Sequence, residues 1–290
     1  MKAAIYAGPG KVENIVRDVP EPAHGEALIK IESVGICGTD IAIVSGKHPR
    51  AQAPLIMGHE VGAVVAGIAG DKPAGIDTGT RVTFFPLVNC GECATCKTGK
   101  TYVCEKLQLI GIDSDGGMAE FTVVPTEALI PVPQNWDKRW AALMEPVAVA
   151  VHSVRRSSVK PGDKVLVTGA GIIGNLCAQM AVVAGAAQVA IADINPFRLD
   201  IAKGLGMRTV DLTKEDINAV TAEVTGGTGF DVSMECSGSA PAQKTVTDCT
   251  RVLGEIVIVG MPKEPPPVDL RMVTFKELTL VGTRVYERVD

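Results

Sequence analysis

The chain has 290 residues, a formal net charge of −5 from 28 basic and 33 acidic side chains, and 4% aromatic residues. An acidic balance argues against nucleic acid or an anionic membrane as partner, and so few rings leave no stacking platform for single strands. Gly8-Pro9-Gly10 breaks the apolar start before a leader can form, and no run reaches the length of a membrane span, so the chain reads as cytoplasmic.

Length alone predicts about two domains. From residue 1 to about 150 the chain is rich in Gly, Pro and short β-branched runs, such as Glu26–Glu32 and Val61–Val65, which predict an irregular β domain. Pro125, Pro131 and Pro133 punctuate the approach to a helix over Trp136–Met144. After Lys160-Pro-Gly-Asp163 the pattern changes. Strands over Lys164–Thr168, Gln188–Ala192, Phe230–Met234 and Glu255–Val259 alternate with helical stretches, which predicts an α/β domain over 151–290 built on a doubly wound parallel sheet.

Cys90, Cys93, Cys96 and Cys104 follow C-x2-C-x2-C-x7-C spacing. Four thiolates so placed can close tetrahedrally around one Zn²⁺. A site with every position filled by protein is structural, so chemistry must be sought elsewhere. Two disulfides are the competing reading, but they belong to secreted domains, and this chain does not read as secreted. Lys97, Lys100 and Lys106 are candidates to soften the excess negative charge, solvated loop lysines being the plainer alternative. Cys177, Cys236 and Cys249 read as inert buried thiols.

The strand Lys164–Thr168 runs into Gly169-Ala-Gly171-Ile-Ile173-Gly174 and then a helix over Asn175–Ala184, the context that makes G-x-G-x-x-G a dinucleotide fingerprint. Gly169 suits the tight turn, Gly171 the approach of backbone to pyrophosphate, and Gly174 the packing of helix on strand. Asp193 follows 19 residues after Gly174, where its carboxylate can accept from the ribose hydroxyls. A 2′-phosphate would meet that negative charge, so NAD is expected over NADP, with Arg198 as the counterargument. Ile173 and Val259-Gly260 complete the candidate cofactor set.

Three further segments offer metal-binding groups: Gly35-Ile-Cys37-Gly-Thr39-Asp40, Gly58-His59-Glu60 and Met144-Glu145-Pro146. Each is unremarkable by itself. Taken with the tetracysteine loop and the fingerprint, in this order and spacing, the sequence resembles the zinc-dependent medium-chain alcohol dehydrogenases over its whole length. The resemblance implies a GroES-like catalytic domain, a Rossmann NAD-binding domain, two zinc ions per subunit, a small-molecule alcohol substrate, and a homodimer or homotetramer. It also implies that the family continues for about 50 further residues, a C-terminal return segment absent here. A chain shortened at that end is expected, and a catalytic-domain surface would otherwise be left uncovered.

At the catalytic zinc, Cys37, His59, Glu60 and Glu145 are the expected ligand set. A thiolate, a neutral imidazole and one carboxylate bring the ion to neutral, so Glu60 and Glu145 are not expected to ligate together. One should bind through water, or the two should exchange. The resemblance gives Thr39 the substrate proton, with His48 as a candidate extension of the relay and an exposed loop histidine as its plainer alternative. Glu145-Pro146 with Val-Ala-Val-Ala-Val-His behind it resembles the polyol, butanediol and sugar-acid branch. Ala42 and Ile43 replace the His-Tyr usual in sorbitol dehydrogenases, and Leu87 replaces a histidine usual in L-threonine 3-dehydrogenases. The expected reaction is hydride transfer between a secondary alcohol and NAD. L-threonine 3-dehydrogenase activity, or a non-catalytic NAD- and zinc-binding protein, is the alternative.

Overall fold

A computed structural model describes residues 1–262, 264–266 and 268–290. The chain divides into two units, Met1–Glu145 and Pro146–Asp290.

The first unit is built on antiparallel strands. They are β1 (Lys2–Gly8), β2 (Lys11–Val16), β3 (Glu26–Val34), β4 (Leu55–Ile56), β5 (Val61–Ala69), β6 (Arg81–Phe84), β7 (Leu87–Val88), β8 (Gln108–Leu109), β9 (Phe121–Pro125) and β10 (Leu129–Pro131). Sheet orders are β2-β1-β4, β10-β6-β5-β3-β9 and β7-β8. In β3, Ala27 and Ile29 are buried while Leu28 and Lys30 are not, the alternation of a strand with one face on a core. They meet Val61, Ala63 and Val65 of β5 and Val82 and Phe84 of β6 in one apolar cluster. Helix α1 (Gly38–Val44) follows β3, and short α2 (Ala94–Lys97) lies between β7 and β8.

Helix α3 (Lys138–Arg156) carries the chain across the boundary between the units. It starts near the expected Trp136 but runs twelve residues beyond Met144, through Pro146. Proline removes one helical N–H, which is tolerated when neighbouring turns continue the ladder, so the helix runs on through Pro146.

The second unit is a six-stranded parallel sheet in the order β13-β12-β11-β14-β15-β16. Its strands are β11 (Lys164–Thr168), β12 (Gln188–Asp193), β13 (Arg208–Asp211), β14 (Phe230–Glu235), β15 (Thr250–Ile258) and β16 (Thr279–Gly282). The helices are α4 (Ile172–Val183), α5 (Pro196–Gly204), α6 (Ile217–Thr225), α7 (Ala240–Cys249) and α8 (Leu270–Phe275). Sequence periodicity passed over β13, which has four residues and Val210 as its one buried apolar side chain. It places β15 five residues late, because Arg251, Val252 and Leu253 lie on an irregular, exposed stretch beside a register shift. Val165, Val167, Ile191, Val232, Met234 and Val257 pack against Cys177, Ala178 and Ala181 of α4. Among the described residues no helix is long and apolar enough to cross a membrane.

Candidate active site

Pairing of β3 with β5 creates the first site. Val34 lies opposite Val61, and Gly35 donates its N–H to the Glu60 carbonyl at 2.7 Å. The residues leaving β3 and those entering β5 therefore converge, and Cys37, His59 and Glu60 place their ligand atoms within 4.8 Å of one another. Gly35 is required here: a Cβ would stand 1.9 Å from Glu60 Oε2. His59 and Glu60 are 4% and 7% exposed.

The electrostatics call for a cation. Burial pushes the Cys37 thiol up to about 11; Thr39 opposes this with its backbone N–H and its hydroxyl, while Glu60 and Glu145 add to it. Burial likewise raises the Glu60 carboxyl, against the pull of His59. Burial thus works against the thiolate at Cys37 and the carboxylate at Glu60. A divalent ion reverses this by favouring the thiolate and carboxylate. The donor set is chemically that of a three-ligand zinc site with one open position.

Asp40 has no role legible in its motif alone. It is 2% exposed, and its Oδ2 accepts the Cys37 N–H at 2.8 Å. Among the described residues neither its Oδ1 nor His59 Nδ1, both buried, has a hydrogen-bond partner. Burial raises the Asp40 pKa and the His59 imidazole opposes that rise, so the two side chains interact electrostatically. A carboxylate acting on the rear of a ligand imidazole is how outer groups orient metal-binding histidines. The available signal was an acid three residues past Cys37, at the third position of α1.

Glu145 lies in α3, half-buried, outside the close cluster but near enough to act on Cys37. His48 differs from an exposed loop histidine: it is half-buried, and its Nδ1 accepts the N–H groups of Arg50 at 3.4 Å and Ala51 at 3.1 Å. Burial and then Arg50 lower its pKa, which favours the neutral acceptor that this turn uses.

The tetracysteine loop forms a second cluster, its sulfur atoms all within 4.8 Å of one another. Cys93 Sγ and Cys104 Sγ are 3.9 Å apart, and Cys104 Sγ and Cys90 Sγ 3.5 Å. Sulfurs about 2.3 Å from one tetrahedral ion stand about 3.8 Å apart, so the geometry fits zinc. Backbone N–H groups reach these sulfurs: Cys90 and Lys106 donate to Cys104 Sγ at 3.4 and 3.3 Å, and Cys93 donates to Cys90 Sγ at 3.4 Å; the charge of Lys106 also interacts with Cys90, Cys104 and Cys93. The Lys106 ammonium turns to Glu92 at 2.7 Å.

In the second unit the glycines of the fingerprint differ in what they permit. Gly169 has φ +93°, and a Cβ on Gly174 would meet the Gly169 carbonyl oxygen at 1.7 Å, whereas one on Gly171 would meet nothing within 4 Å. Gly171 thus opens onto free space at the start of α4, where N–H groups and the helix dipole favour an anion. Asp193 Oδ2 accepts the Ala170 N–H at 2.6 Å and Oδ1 the Asn195 N–H at 2.8 Å. Each oxygen keeps a lone pair for a ribose hydroxyl. Arg198 Nη1 is 3.8 Å from Asp193 Oδ2. Asn175, buried and overlooked in the sequence, donates to the Ala170 carbonyl at 2.5 Å and pins the turn from within the helix. Ile173 and Val259 pack against the apolar cluster, and Gly260 follows two residues after the end of β15.

Residues 23–134 match the family "Alcohol dehydrogenase GroES-like domain", and residues 173–290 match "Zinc-binding dehydrogenase". The chain is 38% identical over 291 residues to a 2-dehydro-3-deoxy-L-galactonate 5-dehydrogenase of Pseudoalteromonas atlantica, spanning 100% of this chain and 85% of that protein. It is 36% identical over 271 residues to an L-threonine 3-dehydrogenase of Enterobacter sp., 91% of this chain and 79% of that one. A solved zinc-binding dehydrogenase from Sinorhizobium meliloti, bound to NADP, superimposes with a TM-score of 0.91 at 32% identity, over 99% of this chain and 85% of that one.

Proposed function

Because this chain belongs to the zinc-binding, GroES-like alcohol dehydrogenase family, we propose that it oxidises a secondary hydroxyl of a polyol, vicinal diol or sugar acid and passes the hydride to NAD. The observation that carries this reading is the convergence of Cys37, His59 and Glu60. One thiolate, one imidazole and one carboxylate fit a zinc that keeps a position open.

Zinc held there supplies a Lewis acid for the substrate oxygen. Cys37, His59 and Glu60 hold it, Glu145 stands as the exchanging acid, and Asp40 orients the cluster. Thr39 receives the substrate proton, and His48 is the candidate to carry it onward. In the second unit Gly169, Gly171 and Gly174 cradle the pyrophosphate, and Asp193 takes the adenosine ribose and disfavours a 2′-phosphate. Cys90, Cys93, Cys96 and Cys104 hold a structural zinc. Reduced clustered thiols suit the cytoplasm, and a homodimer or homotetramer is the assembly we assign.

The relative from Pseudoalteromonas atlantica is named for a sugar acid, which favours aldonates among the candidates. L-Threonine is the second reading, supported by the 36% identity and weakened by Leu87 at the position where a histidine is usual. The test is a screen of NAD and NADP reduction by the zinc-loaded protein over aldonates, polyols, vicinal diols and L-threonine. Turnover of a polyhydroxylated substrate with NAD is expected. Turnover of L-threonine alone would replace this reading with the second, and no turnover with any of them would overturn both.

A further inference from the structure

Glu235 ends β14 with its side chain wholly buried, yet the chemistry above gives it nothing to do. Burying a carboxylate is costly unless hydrogen bonds replace its water. Here they do: Oε1 accepts the Ser237 N–H at 2.8 Å, the Ser237 hydroxyl at 2.6 Å and the Gly238 N–H at 3.0 Å. Oε2 lies 3.1 Å from the same Gly238 nitrogen. The Glu235 carbonyl accepts from Val259 and Gly260 at 2.9 and 2.7 Å. One residue therefore ties the loop after β14 to the end of β15.

The same loop presses on the fingerprint. A Cβ on Gly169 would stand 2.9 Å from Ser237 N, and one on Gly260 would stand 2.2 Å from Gly238 N and 2.8 Å from Glu235 Oε2. Backbone meets backbone at the carboxyl ends of β11, β14 and β15. In the sheet order β13-β12-β11-β14-β15-β16, the first three strands run outward one way and the last three the other, so β11 and β14 flank the point of reversal. A dinucleotide lies across the crevice at that point, one mononucleotide on each half. Asp193 closes the fingerprint turn from the β12 side, through Ala170.

We propose that Glu235 is a positioning residue for the nicotinamide mononucleotide half of the cofactor. Its carboxylate folds the Ser237-Gly238 turn against Gly169 and Gly260, so that the far wall of the crevice exists before the cofactor arrives. The proposal rests on the dinucleotide-binding reading above. It separates the two halves of the cofactor: ADP, held on the β11 and β12 side, should not need Glu235, whereas NADH should.

The test is titration of NADH and of ADP into the zinc-loaded full chain, wild type, Glu235→Gln and Ser237→Ala, with zinc content measured on each. An amide places an NH2 where a carboxylate oxygen accepts, and losing such a charge-assisted bond predicts about tenfold weaker NADH with ADP held within about twofold. Ser237→Ala removes a single hydroxyl and should weaken NADH by about threefold, again sparing ADP. Unchanged NADH affinity in a folded Glu235→Gln, or equal loss of NADH and ADP, overturns the proposal. If Glu235→Gln does not fold, Ser237→Ala decides, and NADH affinity equal to wild type overturns it. A wild-type protein binding neither ligand would instead overturn the dinucleotide reading, and the proposal with it.

Discussion

Asp40 Oδ2 accepts the Cys37 N–H at 2.8 Å, so a buried carboxylate and the backbone of the candidate thiol ligand close one turn at the start of α1. The other Asp40 oxygen and His59 Nδ1 are also buried, and neither has a hydrogen bond among the described residues. Asp40→Ala should therefore lower affinity at the Cys37 site by about 10- to 100-fold. Under mild chelation, zinc content should fall from two ions per subunit to one. Retention of both ions with full turnover would show that Asp40 merely fills space.

Cys104 is the most deeply buried of the four clustered cysteines and receives the N–H groups of Cys90 and Lys106. Cys104→Ser should cost the structural zinc and, with it, several kcal/mol, seen as a fall of about 10 °C in Tm. Turnover at low temperature, normalised to remaining zinc, should stay near wild type, since Cys37, His59 and Glu60 form a separate cluster.

The N–H and hydroxyl of Thr39 oppose the rise that burial imposes on the Cys37 thiol. If the hydroxyl also receives the substrate proton, Thr39→Ala should lower kcat by about 100-fold, while Thr39→Ser stays within a few-fold. Steady-state rates across pH separate the roles. A relay residue changes the pH profile, whereas a residue that only supports Cys37 changes zinc content.

Asp193 stands 3.8 Å from Arg198. Asp193→Ser should reduce kcat/KM for NAD by about 10- to 100-fold and release Arg198 for a 2′-phosphate, raising the NADP to NAD ratio. Parallel loss of both cofactors would mean that the Ala170 contact, not ribose recognition, is what Asp193 supplies.

Asp231 joins three strands' worth of chain: Oδ1 accepts from Arg251 Nε at 2.7 Å and Oδ2 from the Lys164 N–H at 2.8 Å. Burial works to raise its pKa, but the Lys164 N–H and the Arg251 guanidinium outweigh it and hold the carboxyl below its usual value. Its folded pKa is therefore below its unfolded one. Its stabilisation is fully present above about pH 4 and disappears as pH falls through the folded value. Asp231→Asn should cost about 1–2 kcal/mol at pH 7. The gap in Tm between variant and wild type should hold from pH 8 to about 5 and narrow below about 4; a gap constant to pH 2 would argue against the assignment.

The sequence by itself determined what depends on short range. The four cysteines share one loop, and the fingerprint with its acid spans one strand, turn, helix and strand, so spacing reads directly as geometry. The parallel sheet was legible in β11 and β12, whose apolar runs are continuous, and in β14, where Phe230, Val232 and Met234 alternate with Asp231 and Ser233, but not in β13, which buries one apolar residue. The order of motifs named Cys37, His59, Glu60 and Glu145 as a set of four. Only tertiary structure could divide them, because the register of Val34 on Val61 draws Cys37 to His59 and Glu60, while Glu145 comes from a helix that no periodicity relates to that pair. Asp40, Asn175 and Glu235 were silent for the same reason. A carboxylate or amide acquires its role from the N–H or carbonyl groups it meets when buried, and those contacts come from packing rather than from spacing along the chain.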